Sequence, residues 1–212
     1  MTITYPLSVP TTNGSNDIQS MEIQNVNAVV NMVSPFSGAQ QIQAWSRNQL
    51  IVKCKLIPML KADAMNWFGF FRSLRSSNGS FYLGDPHNTT PQGTASSSPG
   101  TPLIAGADQT GNTLTIDGAP NSQTGWLLRG DWIQIGSGSS SRLYTITADV
   151  DTDGSGNATL DIQPAIRTAP ADNDPVTVSS TVGVFRLVAE PIVEVSAEHF
   201  YSIEFQAMEV VS

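Results

Sequence analysis

Hydrophobic and polar side chains alternate along several stretches of this chain, a pattern typical of β-strands with one buried face. Residues 19–33 alternate in this way and predict a strand that ends at a turn formed by Ser34 and Pro35. The apolar stretch 50–57 predicts another strand, entered through a hairpin at 47–49. The clearest alternation lies at 199–211 and predicts a terminal strand.

One stretch, residues 60–75, has helical rather than strand periodicity. Its apolar side chains recur at the spacing of one helix face, which predicts an amphipathic helix with a buried stripe. The residues of the stripe are Ala64, Trp67, Phe68, Phe71 and Leu74. The pair Asn78 and Gly79 is expected to end this segment in a left-handed conformation.

The pattern changes after residue 88. Residues 89–102 have no apolar period and predict a linker, whereas 103–178 contain short strands separated by Gly, Asp and Asn. Five short strands at even spacing indicate a small β-barrel or sandwich. They are predicted at 114–116, 132–135, 143–146, 158–162 and 176–178, and further strands follow at 184–188 and 192–195.

Composition supports a β-rich globular protein. About a third of the 212 residues are Ser, Thr, Gly or Pro, only 13% are charged, and 40% are hydrophobic. This balance argues against a disordered chain and against a helical bundle, whose exposed faces need many charged residues. The polar residues 1–18, which contain two prolines, predict an extended arm with few local partners.

Charge is distributed unevenly. Residues 89–180 hold nine acidic and three basic residues, a net charge of −6, out of −8 for the whole chain. Together with the density of turn residues, this predicts an insertion. The expected fold class is mainly β: a β-sandwich host domain with one α-helix, residues 1–88 plus 181–212, carrying an inserted acidic β-barrel-like domain, residues 89–180.

Several classes of function are disfavoured. A nucleic-acid-binding protein usually shows a basic stripe, and this acidic chain has none. No apolar run approaches the length of a membrane span, and the first residues do not resemble a secretory signal. The single cysteine, Cys54, permits no internal disulfide and fits synthesis in a reducing cytoplasm; its apolar surroundings predict a buried, inert thiol.

Residues 149–154, Asp-Val-Asp-Thr-Asp-Gly, match the first half of a calcium-binding loop. The closing glutamate of such a loop would fall at Leu160, so a hairpin turn is the favoured interpretation. The two histidines, His87 and His199, lack the spacing of a metal site or a catalytic pair. No metal, cofactor or enzymatic activity is therefore expected.

The order of elements resembles a known family. A strand pair followed by the helical segment AMNWFGFFRSLRSSNGSFYL (64–83) and the closing strand FYSIEFQAMEVV (200–211) is similar to the tail-tube-type domain of tailed bacteriophages. The size and closing strand are similar to the distal tail proteins of long-tailed phages. Residues 130–167 resemble small β-barrel insertions of phage tail proteins.

This resemblance implies a structural virion protein made in the bacterial cytoplasm. Copies would close into a homo-oligomeric, hexameric ring at the tail tip, between the tail tube protein and the tip or hub proteins. DNA would pass through the ring without specific binding, because an acidic lumen repels phosphate. The inserted domain would project outward toward a receptor-binding protein or a host glycan.

The host-domain strands are expected to form the ring, so apolar residues of those strands are the candidate interface. They are Ile23, Val26, Leu50, Val52, Tyr201, Ile203 and Phe205. Trp126 and Trp132 are candidate peripheral contacts, since exposed aromatic faces stack on sugars, although core packing is the competing interpretation. The alternative functions are a carbohydrate- or receptor-binding β module and another minor tail or head–tail completion protein.

Overall fold

The structure is a computed structural model that describes residues 3–12 and 15–211. Within these residues the predicted class is confirmed: the chain is mainly β, with one α-helix and a barrel-like module. In chain order the elements are β1 (Thr11–Thr12), β2 (Ser15–Asn16), β3 (Ile18–Val33), β4 (Gln40–Leu56), α1 (Lys61–Ser73), β5 (Phe81–Leu83), β6 (Leu103–Ile104), β7 (Gly111–Asp117), β8 (Trp132–Ile135), β9 (Arg142–Ile146), β10 (Ala158–Ile166), β11 (Val176–Thr177), β12 (Gly183–Leu187), β13 (Ile192–Val195) and β14 (Tyr201–Glu209).

The first sheet is antiparallel and has the strand order β3–β4–β14–β12–β5, with β13 also paired to β14. Its alternate residues pack with α1 because the alternation puts apolar side chains on one face. We call the resulting cluster the first core. It consists of Ile18, Leu50, Val52, Cys54, Leu56, Met59, Ala64, Trp67, Phe70, Phe71, Leu74, Phe81, Leu83, Leu143, Phe185, Leu187, Ile203, Phe205 and Ala207.

Aromatic rings of α1 form the centre of the first core. Trp67 is fully buried, and its ring centroid lies 5.6 Å from that of Phe71 and 6.1 Å from that of Phe205. Its indole Nε1 donates a hydrogen bond of 2.7 Å to the buried carboxylate of Asp17. A buried indole needs such an acceptor, so this bond ties the residue before β3 to the helix.

The helix prediction is confirmed, but the residues that end it differ from the expected pair. Arg75 and Ser76 adopt the left-handed conformation, with φ of 52° and 64°. Gly79 is extended, and a Cβ there would lie 2.5 Å from the Tyr5 ring. Glycine is therefore required at position 79 by close packing rather than by a left-handed turn.

The prediction of an N-terminal arm with few local partners is wrong for the described part of residues 1–18; the rest of that segment lies outside the described residues. Leu7 exchanges two backbone hydrogen bonds with the β5 region, at 2.9 and 2.8 Å. The Tyr5 hydroxyl donates to the Ser73 carbonyl at 2.6 Å. Tyr5, Leu7 and Val9 also pack against the first core. Their alternation covers only three side chains, which is too short to predict a strand.

The hairpin predicted through 47–49 is also wrong. β4 is continuous from Gln40 to Leu56, and the chain reverses at 34–39, where Gly38 has φ of +67° and donates to the Ser34 carbonyl. The turn predicted at Ser34 and Pro35 is thereby confirmed. Asn48 and Gln49 are half-buried within β4, so these polar residues do not mark a turn.

The second sheet has the order β11–β8–β9–β10–β7–β6 and nearly closes into a barrel. Its edge strands meet where the Ile104 amide donates to the Asp174 carbonyl at 3.0 Å. All five strands predicted in this region are confirmed, whereas β6 was not predicted. The barrel core consists of Ala95, Ile104, Leu114, Ile116, Ala119, Trp126, Leu127, Ile133, Ile135, Tyr144, Ile146, Val150, Ala158, Leu160, Ile162, Val176 and Val178.

Residues 89–102 do not form the expected linker. Ala95 is fully buried in the barrel core, and its amide donates to the Trp126 carbonyl at 2.9 Å. The neighbouring Thr94 amide donates to the Gly125 carbonyl at 3.0 Å. A small side chain and backbone hydrogen bonds hold this segment against the barrel, so no apolar period was needed.

A buried ion pair lies where the first core meets the barrel. Arg167, just after β10, pairs with Glu209 of β14 through both guanidinium nitrogens, and the side chains are 2% and 0% exposed. The backbone of Leu143 joins them: its carbonyl accepts from Arg167 at 2.9 Å and its amide donates to Glu209 at 3.2 Å. Burial raises the pKa of Glu209, an effect that the charge of Arg167 opposes.

The chain enters and leaves the barrel region at one place. The Ser180 amide donates to the Thr89 carbonyl at 2.6 Å. Nearby, the side-chain oxygen of Gln134 accepts from the Val182 amide at 2.9 Å. The two chain crossings are therefore adjacent.

We expect Glu209→Gln to lower the free energy of unfolding by about 3–5 kcal/mol, because it leaves a buried guanidinium without its counter-charge. The matched control is Glu204→Gln, which breaks the exposed Lys55–Glu204 pair of 3.2 Å and should cost less than about 1 kcal/mol. Urea unfolding of both variants measures the difference. Equal losses would contradict a structural role for the buried pair.

Burial raises the pKa of the Cys54 thiol from 9.0 to about 12. The unfolded chain therefore ionises this thiol before the folded chain does, so its contribution to stability is intact below pH 9 and declines as the pH rises toward 12. At pH 8 the native protein should not react with Ellman's reagent, whereas the urea-unfolded protein should react fully. Rapid labelling of the native chain would refute this burial.

Candidate assembly interface

The β3–β4 hairpin extends beyond the first sheet. β14 pairs with β4 only between Ile51 and Lys55, whereas β3 and β4 remain paired as far as Val33 and Gln40. From Val26 onward the two strands form a ribbon without a third strand among the described residues. Eight residues of extended chain span roughly 25 Å.

The ribbon exposes apolar side chains on both faces. Val29, Val33 and Ile42 share one face, and Val30 and Met32 lie on the other; all five are exposed. At the tip, Phe36 is 99% exposed. A lone two-stranded hairpin is marginally stable in water, and a contiguous apolar patch marks an interaction surface. The ribbon is therefore the strongest candidate for an assembly contact.

The first sheet also has two different open edges. β3 has a neighbour on one side only among the described strands, and β13 is the outer strand beside β14. Ile192 and Val195 of β13 are 64% and 57% exposed. Unpaired strand edges are ready to pair with another chain. Two unlike edges on one sheet suit head-to-tail contacts, which form rings when the rotation closes.

Four of the predicted interface residues cannot contact a neighbouring chain. Leu50 and Val52 of β4 and Ile203 and Phe205 of β14 are at most 3% exposed, because they belong to the first core. This corrects the prediction. Alternation identifies the apolar face of a strand, but it does not tell whether a helix of the same chain covers that face.

The other three predicted residues remain accessible. Ile23 is 38% exposed on β3, and Val26 is half-buried on the same strand. Tyr201 is half-buried, with its ring edge-to-face against Phe68 at 6.3 Å. The ribbon tip is not among the predicted residues. Its signals in the sequence are consecutive apolar residues, which point to opposite faces of a strand, and an aromatic residue in a turn.

Trp126 and Trp132, the predicted peripheral contacts, have different environments. Trp126 is fully buried in the barrel core, and its Nε1 donates to the Ser98 carbonyl at 3.3 Å. It cannot stack on a sugar, so its assignment as a peripheral contact is wrong and core packing is confirmed. Trp132 is half-buried and packs against the first core, close to Leu143. The Trp132 side chain therefore packs mainly against residues of its own chain.

The acidic segment 149–154 runs from an isolated bridge, in which Val150 pairs with Leu127, into a turn that begins at Gly154. Asp149 and Asp151 each accept a hydrogen bond from a backbone amide of the preceding loop, at 2.9 and 2.7 Å. Asp153 accepts from the amides of Ser155 and Asn157, at 2.7 and 2.8 Å. Hydrogen bonds from Asn157 and Ser155 lower the pKa of Asp153 because they stabilise its charged form. Asp153 therefore stabilises the turn between β9 and β10, as the hairpin interpretation expects, whereas Asp149 and Asp151 bind the loop before β8.

The other residues considered as metal ligands or catalytic groups do not lie together in one site. Leu160, at the position of a closing calcium ligand, is fully buried in the barrel core. His87 is exposed beside Asp85, and His199 is in the turn between β13 and β14 with φ of +63°. Among the described residues no three His, Cys, Asp or Glu side chains are grouped to hold a metal ion.

Charges on the exposed face of the first sheet nearly compensate one another. Glu22 is opposite Lys53 in the register of β3 and β4, and Lys55 pairs with Glu204 at 3.2 Å. Arg186 of β12 is also exposed. The excess of acidic residues belongs to 89–180, not to this face.

No protein-family model and no curated protein matches this chain. Within the described residues, none of the helices is both long and apolar enough to cross a membrane. Inference about function therefore depends on the chain's own surfaces.

Proposed function

We propose that this chain is a ring-forming structural protein of a long-tailed bacteriophage, placed at the distal end of the tail tube and linking it to the tip proteins. The observation that carries the proposal is the apolar β3–β4 ribbon. Its exposed faces are unfavourable in an isolated chain and become favourable when a second copy covers them.

The arrangement of the elements supports this proposal. The segments that resemble the tail-tube-type domain, residues 64–83 and 200–211, correspond to α1 with β5 and to β14. The two segments pack in one core, where the ring centroids of Phe81 and Phe205 are 6.2 Å apart. The unlike edges β3 and β13 fit head-to-tail closure, and the resemblance implies six copies.

The charge distribution fits passage of DNA through such a ring. The exposed sheet face carries Lys53, Lys55 and Arg186 against Glu22 and Glu204, so it offers no basic stripe for a phosphate backbone. If this face lines the lumen, a nearly balanced set of charges, three basic and two acidic, replaces the acidic lining expected from the sequence.

We propose the same division into domains as the sequence analysis: a host domain of 1–88 plus 181–212 and an inserted domain of 89–180. The adjacent crossings at Thr89 and Ser180 let the inserted domain project outward without interrupting the sheet. There it would meet a peripheral tail protein or a host glycan.

Light scattering on the purified full chain is expected to give six times the subunit mass of 22.6 kDa, and negative-stain images should show sixfold rings. The triple variant Met32→Thr, Phe36→Ser, Ile42→Thr should be monomeric, because it removes apolar ribbon surface while keeping residues that tolerate extended structure.

The matched control is Met65→Gln, which removes an exposed apolar side chain from α1 and should leave the rings intact. A wild-type chain that is monomeric by mass and by imaging rejects the proposed function. Rings that persist in the triple variant reject the ribbon as the contact that holds them together.

A further inference from the structure

β13 and the part of β3 inside the first sheet each leave one edge unpaired among the described strands. Ile192 and Val195 of β13 and Ile23 of β3 are exposed, and Val26 is half-buried. The two edges lie on opposite sides of one sheet, β13 beyond β14 and β3 beyond β4. One edge of a copy can therefore meet the other edge of the next copy.

The backbone of β13 is directed to its free edge at Val193 and Val195. The Ser196 amide donates to the Phe200 carbonyl at 2.9 Å, so Ser196 directs its backbone toward the segment that leads into β14. Backbone groups alternate between the two sides of a strand. Val195 and Val193 therefore direct theirs away from β14.

In β3 the corresponding residue is Ile23. Gln206 of β14 accepts a hydrogen bond from the Val188 amide at 2.9 Å, so it directs its backbone away from β4. Its neighbour Ala207 therefore bonds to β4, where it lies opposite Val52. Val52 uses its backbone toward β14, which leaves Ile23, its partner in β3, directing its own backbone to the free edge.

The two edges are compatible, because in both the outward backbone groups belong to residues on the core face of the sheet. Val193 lies opposite Ile203, and Ile23 lies opposite Val52; both partners are buried in the first core. β13 and β3 also run in opposite directions, since each neighbouring pair from β3 through β4 and β14 to β13 is antiparallel. An antiparallel pair between copies thus continues the sheet with its core face on the same side.

We propose that β13 of one copy pairs antiparallel with β3 of the next, with Val195 opposite Ile23 and Ile192 opposite Val26. This pairing rests on the proposed ring and identifies the strands and the register that join its copies. Each face of the extended sheet gains one apolar cross-strand pair, which stabilises strand pairing. The contact leads directly into the β3–β4 ribbon, which begins at Val26.

Charge selects this register from its neighbours. It places Glu194 opposite the uncharged Gln24. A shift of two residues in one direction keeps the faces matched but puts Glu194 opposite Glu22, and like charges directly opposite each other are destabilising. The same shift in the other direction puts Glu194 opposite the apolar Val26.

The register also staggers the copies. Across β14 and β4, Ile192 lies level with Ser20 of its own sheet, but it meets Val26 of the next copy. A sheet closes only when its strands are tilted and their register is staggered. An unstaggered pairing would place β13 on the irregular edge between Ile18 and Ser20, where the register of β3 shifts.

The test is disulfide formation between copies of the full chain. Glu194→Cys combined with Gln24→Cys places two thiols at a pair without backbone hydrogen bonds, where facing strands approach closely enough for a disulfide. Mild oxidation should then give a ladder of covalent oligomers on a non-reducing gel. The wild type should give none, because its one thiol, Cys54, is buried.

The matched control is Glu194→Cys combined with Glu22→Cys, which forms the ladder only in the register displaced by two residues. In the proposed register these side chains are diagonal neighbours roughly 7 Å apart, too far for a disulfide, so the ladder should be lost. A second pair of variants uses charge: Gln24→Glu should weaken association and Gln24→Lys should strengthen it, since each faces Glu194.

Light scattering of the wild type and of the reduced variants separates failure of the pairing from failure of the ring. A monomeric wild type rejects the proposed function and this pairing with it. Oligomers of Glu194→Cys with Gln24→Cys that do not cross-link, or an equal ladder in the control, overturn the pairing alone. If the cysteine variants do not assemble, equal association of Gln24→Glu and Gln24→Lys overturns it.

Discussion

The ion pair of Arg167 and Glu209 holds the two cores of this protein in register. Both charges are withdrawn from water, where an ion is tolerated only if its partner is in place. The pair joins β14 of the first sheet to the end of β10 in the barrel. Leu143 contributes its backbone to the pair and its side chain to the first core. A shift of the barrel would separate all these contacts together, so the junction has one favourable arrangement.

Sequence periodicity predicted elements whose burial is set by side chains. The α1 stripe and the β14 alternation were recognised because each apolar residue there faces a core. Short segments were not recognised: Leu7 beside β5 and Ala95 in the barrel make main-chain hydrogen bonds, which any residue can make, and too few apolar neighbours accompany them to show a period. The reversal at 34–39 was predicted, but the length of the hairpin was not, since the ribbon has no core to impose alternation.

The candidate assembly interface could be predicted only in part, because the sequence does not reveal which apolar faces are covered within the chain. The alternating strands β4 and β14 have apolar faces that α1 already covers, so Leu50 and Phe205 are unavailable to another chain. The surface available to another chain consists of strand edges and of apolar ribbon residues on opposite faces, such as Val29 and Val30. Edges are a property of sheet order, and sheet order depends on pairing between distant segments that a single sequence does not reveal.

The hydrogen bond between Thr89 and Ser180 has a consequence for how such a protein can diversify. A segment whose two ends are adjacent can be exchanged for another of different length without displacing the flanking strands. Recombination could replace the barrel while the sheet, the helix and the ribbon stay unchanged. Two requirements at the junction are coupled to such an exchange: Glu209 needs a new cation or replacement by a neutral residue, and the first core needs a side chain in the place of Leu143.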